Sequence, residues 1–128
     1  MFAIEDLGDY LESKGMGVVA ETIWLNKLPD TPDNIISIFQ GGGTPQPLKI
    51  KVFYPSFQLR ARSISNSEAL QTINQLYNLM DNDCLRRFVS PSGRVFIVKK
   101  LTPPFFYDTD DSDRSSYILS VDILTQTD

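Results

Sequence analysis

Ser56-Phe-Gln-Leu-Arg-Ala-Arg-Ser-Ile-Ser-Asn-Ser-Glu-Ala-Leu-Gln-Thr-Ile-Asn-Gln-Leu-Tyr-Asn-Leu-Met80 changes its hydrophobic period near Ser65. Before it, Phe57, Leu59 and Ala61 alternate with Gln58, Arg60 and Arg62, the period-two pattern of a strand with one buried side. After it, Ala69, Ile73, Leu76 and Met80 recur at the three-and-four spacing of a helix that buries one stripe. At the join, Ser65-x-x-Glu68 has the spacing of a capping box, in which the serine oxygen accepts from the Glu68 N–H. A one-sided strand running into a one-sided helix predicts a helix laid on a sheet.

The flanking sequence supplies the other elements. Phe2 to Ser13 reads as a helix with Ile4, Leu7 and Leu11 on one stripe, closed by Gly15 at the left-handed position after its end. Gly8 inside it costs about 1 kcal/mol relative to alanine, so this helix depends on docking. Glu21–Asn26 and Ile35–Gln40 read as strands, separated by the Pro- and Asx-rich turn Leu28–Asn34. Gly41-Gly-Gly-Thr-Pro-Gln-Pro47 interrupts regular structure, and Lys49–Tyr54, alternating basic and apolar, is an arm of a long hairpin or a loose flap. Asp81-Asn-Asp83 ends the second helix, and Gly93–Lys100 is a strand. Pro103-Pro104 cannot continue a central strand, because two ladder donors are missing. Ser115–Thr125 is a last strand with Tyr117, Leu119, Val121 and Ile123 inward. These elements predict a single α+β domain over residues 1–128. Its mainly antiparallel sheet has about four to five strands, is packed by two helices, and carries long loops at 41–55 and 103–114.

The 128 residues include no histidine and one cysteine, which excludes His-based triads, imidazole metal sites and an intrachain disulfide. The opening MFAIEDLGDYLE is acidic where a signal peptide needs bases, and no apolar run approaches the roughly 18 residues of a membrane span. The expectation is a cytoplasmic protein without membrane contact, unless a larger particle carries it. The net charge of −4 hides a segregation. Residues 1–34 hold seven acids against two bases, residues 35–107 three against nine, and residues 108–128 six against one. Either surfaces of opposite sign meet on neighbouring copies, or folding interleaves the segments and the asymmetry averages out.

No catalytic constellation stands out, and no cofactor is expected. Asp108-x-Asp110-x-Ser112 matches the start of a calcium loop, but Asp113 and Leu119 occupy positions that require glycine and glutamate. A solvated hairpin tip is the better reading. Gly41-Gly42-Gly43 lacks the following helix and lysine of a phosphate cradle, and Cys84 has no activating base. The basic set around Arg60 and Arg62 resembles a nucleic-acid surface, but a pI near 4.7 sits far from the values above about 9 typical of such domains. Pairing of Arg60 and Arg62 with acids on a neighbouring copy is the favoured role. The long loops, with Phe105-Phe106, read as contact surface.

Leu28-Pro-Asp-Thr-Pro-Asp-Asn-Ile-Ile-Ser-Ile38 resembles an element of the minor capsid, or tail-completion, proteins of long-tailed bacteriophages. Tyr54-Pro-Ser-Phe-Gln-Leu-Arg-Ala-Arg62, the helix with Glu68-Ala69 and Tyr77-Asn-Leu79, and Pro104-Phe-Phe-Tyr-Asp-Thr-Asp-Asp-Ser-Asp-Arg114 follow in that family's order. The resemblance covers nearly the whole chain and implies a non-enzymatic tail terminator. Such a subunit forms a ring, commonly a hexamer, on the head-proximal end of the tail tube. It contacts the tail tube protein and a neck or head-completion protein, and leaves a channel for DNA that it does not specifically recognise. A virion location, after assembly in the host cytoplasm, is implied with it. A head-side completion protein and an accessory nucleic-acid-binding domain remain the alternatives. Arg60, Arg62, Lys49 and Lys51 are the candidates for subunit-interface or channel-facing positions. Gly41, Gly42, Gly43, Pro45, Pro47, Phe105, Phe106, Asp108 and Asp110 are the candidates for docking loops.

Overall fold

A computed structural model of the chain describes residues 4–41, 52–53, 56–81, 88–89, 91, 93 and 95–126. Two helices, α1 (Ile4–Ser13) and α2 (Asn66–Asp81), accompany eight strands. The strands are β1 (Ile23–Leu25), β2 (Ile35–Gln40), β3 (Val52–Phe53), β4 (Ser56–Ser63), β5 (Phe88–Val89), β6 (Val95–Leu101), β7 (Phe105–Thr109) and β8 (Ser115–Gln126). The α+β class expected from the sequence holds. All eight strands join one sheet of order β1-β2-β4-β8-β6-β5, with β3 and β7 also paired to β8. Among the described strands, β1 with β2 is the one parallel pair.

Strand β8 organises the sheet because its 12 residues extend about 40 Å, long enough to receive two shorter strands end to end on each edge. β4 and β3 line one edge; β7 and β6 line the other. One expectation is corrected here. Segment 103–114 is not a long loop: it carries β7 and the turn of a hairpin with β8. Strand β8 itself is flanked on both sides. The Pro103-Pro104 break falls between β6 and β7, as its missing donors require. There Thr102 continues the ladder: its N–H donates to the Ser120 carbonyl at 2.9 Å, and its Oγ1 accepts the Ser120 N–H at 2.8 Å.

Both helices cover one face of the sheet. Ile36, Ile38, Phe57, Leu59, Ala61, Leu119, Val121 and Ile123 bury there beneath Leu7 and Leu11 of α1 and Ile73, Leu76 and Met80 of α2. α1 ends as its sequence predicts. Gly15 takes φ +79°, the Met16 N–H reaches the Leu11 carbonyl at 3.1 Å and the Gly15 N–H the Glu12 carbonyl at 3.0 Å, a Schellman closure. Gly8 lets the helix approach β1 closely: a Cβ there would lie 3.0 Å from Leu25 Cδ2. At the start of α2 one arm of the capping box forms, Glu68 N–H to Ser65 Oγ at 3.4 Å. The Glu68 carboxylate instead accepts from Ser63 Oγ and from the Asn34 side chain, tying the helix start to β4 and to the residue before β2.

Candidate assembly surface

Among the described residues, the other face of the sheet carries no helix. Cross-strand register places Ile35, Arg62 and Ser116 in one row and Ser37, Arg60 and Ile118 in the next. Although its strand alternation reads as polar, this row is covered, because the turn between β1 and β2 folds over it. Arg62 is only 4% exposed and donates to three backbone carbonyls of that turn: Asp33 (3.1 Å), Pro32 (2.8 Å) and Asp30 (3.4 Å). Burial, followed by the neighbouring Arg114 cation, lowers the Arg62 pKa from its ordinary value.

Arg114 is the second buried guanidinium. Its Nε donates to Asp110 Oδ2 at 2.8 Å, and Nη2 to Asp30 Oδ1 at 3.0 Å. Its Nη1 donates to the Asp30 carbonyl and lies 3.4 Å from Asp33 Oδ1. One side chain thus joins the β7–β8 turn to the β1–β2 turn. The Asp110 carboxylate also closes its own turn, accepting the N–H of Ser112 at 3.0 Å and of Arg114 at 2.9 Å. The backbone N–H of Arg114 foremost, then its guanidinium and the Ser112 N–H, holds the Asp110 pKa below the usual carboxylate value against a smaller opposing effect of desolvation. Asp108–Ser112 is therefore the tip of a hairpin whose acids serve backbone and guanidinium donors.

Strand β7 lies next to this clamp. Arg60 Nη2 meets Asp108 Oδ1 at 3.1 Å, and the guanidinium carbon lies 4.8 Å from the Tyr107 ring centroid, within cation–π range. A register shift between Phe106 and Asp108 inserts Tyr107 as the bulged residue. Phe106 packs edge-on against Tyr117, centroids 5.5 Å apart. Phe105, Phe106 and Tyr107 nevertheless remain 50%, 50% and 53% exposed, three consecutive aromatic rings presented on one short strand. Register sets Phe105 beside Ile118 and Phe106 beside Tyr117, so the rings flank both sides of this edge strand, and exposed large apolar groups gathered on one strand are candidates for an interaction site.

The sequence matches the family model described as bacteriophage tail terminator protein over residues 10–128. The chain belongs to the bacteriophage tail terminator family. No curated protein matches the sequence. The family is a structural one, so this tail terminator is a virion component that associates with other tail parts. No helix among the described residues is long and apolar enough to cross a membrane.

In this tail terminator the candidate residues fall into three groups. Phe105, Phe106, Asp108 and Asp110 come together on β7 and its turn, and Gly41 ends β2 with its N–H on the Ser56 carbonyl. Arg60 and Arg62, expected to reach acids of a neighbouring copy, are bound within their own chain, Arg60 to Asp108 and Arg62 to turn carbonyls. Folding therefore interleaves part of the segregated charge. Gly42, Gly43, Pro45, Pro47, Lys49 and Lys51 lie outside the described residues. Sequence reasoning missed the hub role of Arg114 and the exposure of Tyr107. The spacing of Asp110 and Arg114 was the available signal for the first, since four residues across a tight turn bring the two side chains together.

Proposed function

We propose that this tail terminator assembles as a ring, a homo-hexamer, on the head-proximal end of the tail tube. The ring joins the tube to the neck and leaves a central channel through which DNA passes without specific recognition. Assembly takes place in the host cytoplasm. The observation that carries this reading is the exposed aromatic run of β7 at one margin of the sheet, in a chain of the tail terminator family. A subunit with one sticky margin and a different opposite margin is suited to head-to-tail contacts, and such contacts close into rings. In this reading Gly41–Gly43, Pro45 and Pro47 contribute a docking segment, and Lys49 and Lys51 serve a subunit interface or face the channel. Arg60 and Arg62 act from inside the subunit, holding the β7 and β1–β2 surfaces in shape.

Native mass spectrometry of the full chain, alone and with isolated tail tubes, tests the proposal. A single closed stoichiometry, retained on tubes, supports it. Monomers that bind neither each other nor tubes overturn it, and binding only to filled heads favours a head-completion role instead.

A further inference from the structure

We propose that the β7 aromatic run of one copy seats in the groove beside β1 of the next copy. This rests on the ring reading above and supplies its subunit contact. Seven large apolar side chains are exposed among the described residues: Val18, Leu28, Ile64, Leu70, Phe105, Phe106 and Tyr107. Phe105, Phe106 and Tyr107 are consecutive on β7, while Val18 and Leu28 flank β1 in sequence. Beside β1 lies a groove of about 160 Å³ lined by Val19, Ala20, Ile23, Trp24, Leu25 and Lys27. An apolar space of about 150 Å³ is enough to hold a benzene ring.

The groove is built to receive a side chain rather than a strand. The Ile23 N–H is already bonded to the Val18 carbonyl at 3.0 Å, and the Ile23 carbonyl accepts from Ala20 N–H at 2.8 Å, so the chain's own turn occupies the outer backbone there. The Trp24 indole N–H donates to the Glu21 carbonyl at 3.1 Å, which fixes the ring as a groove wall. Charge selects the orientation. Asp108 and Asp110 are held by Arg60 and Arg114, which leaves Asp111 exposed in the turn after β7, while β1 runs into exposed Lys27 after Glu21 at its start. Seated parallel, Asp111 meets Lys27; seated antiparallel, it meets Glu21.

β7 cannot use the groove of its own chain. β2, β4 and β8 stand between β1 and β7, four inter-strand steps of about 4.8 Å. The contact is between copies and joins two unlike surfaces, so it repeats head to tail and closes where the rotation allows.

Disulfide trapping in the full chain tests the contact, in a Cys84→Ser background. Copies with Phe105→Cys are mixed with mass-tagged copies carrying Val18→Cys and gently oxidised. The expected result is mixed-species disulfide in about tenfold excess over either variant with itself. An intact assembly with no mixed excess overturns this contact and leaves the ring reading standing. A wild-type chain that does not assemble overturns the ring reading and the contact with it. Exposed charges give an independent arm: Lys27→Glu should raise the concentration needed for assembly about tenfold, and adding Asp111→Lys should restore it. A double variant no better than Lys27→Glu contradicts the contact.

Discussion

Arg114 shows how a single residue holds the helix-free face. It binds two turns at once, and the partner with the clearest consequence is Asp110, whose carboxylate is held below its ordinary pKa by the Arg114 N–H and then by the guanidinium. A depressed folded pKa contributes stability above the unfolded value of about 3.9, and that contribution disappears as pH falls through the folded pKa. Asp110→Asn should therefore lower the urea midpoint at pH 7, with a gap from wild type that stays constant down to about pH 5 and closes below about pH 4. Equal gaps at pH 7 and at the acid end would show that Asp110 acts without its charge. Beyond the four-residue spacing of Asp110 and Arg114, none of this was legible beforehand. Alternation along β4 assigns Arg60 and Arg62 to a polar side, but it cannot distinguish solvent from a turn folded back from 30 residues away.

At the scale of elements, the buried stripe of α2 was readable because helical spacing and apolar composition agree. Ala69, Ile73, Leu76 and Met80 are all fully buried. Leu76→Ala should lower unfolding free energy by about 2–5 kcal/mol in chemical denaturation. Leu70→Ala, on the same helix but 40% exposed, should change it by less than about 1 kcal/mol. Similar losses at both positions would contradict the assigned face. Strand β7 was hidden for the opposite reason. Its neighbours Pro103, Pro104 and the acidic run at 110–113 are loop residues by composition, and only pairing with β8 makes five residues between them a strand. The central place of β8 was equally obscure, since Ser116, Ser120 and Asp122 on its second side resemble a solvated face. In the fold that side is also covered, with Ser116 and Ile118 buried. The parallel pairing of β1 with β2 has no local signal, because a short apolar run such as Ile35-Ile-Ser-Ile38, buried on both faces, reads the same in either direction.

Across the whole molecule, the segregation of charge along the chain is only partly kept in space. Arg60, Arg62 and Arg114 draw acids and carbonyls of the two acidic segments into one clamp, while the aromatic margin at β7 and the groove at β1 are left at opposite margins of the sheet. A subunit of this design does its work by contact, with the clamp fixing the shape of the surface that is presented. Electron microscopy of phage tails grown with an epitope-tagged copy of this chain tests that directly. Label is expected at the head-proximal end of each tail and nowhere else, with tails lacking the protein failing to stop at a uniform length. Label spread along the tube, or tails of normal length and competence to join heads without the protein, would contradict it.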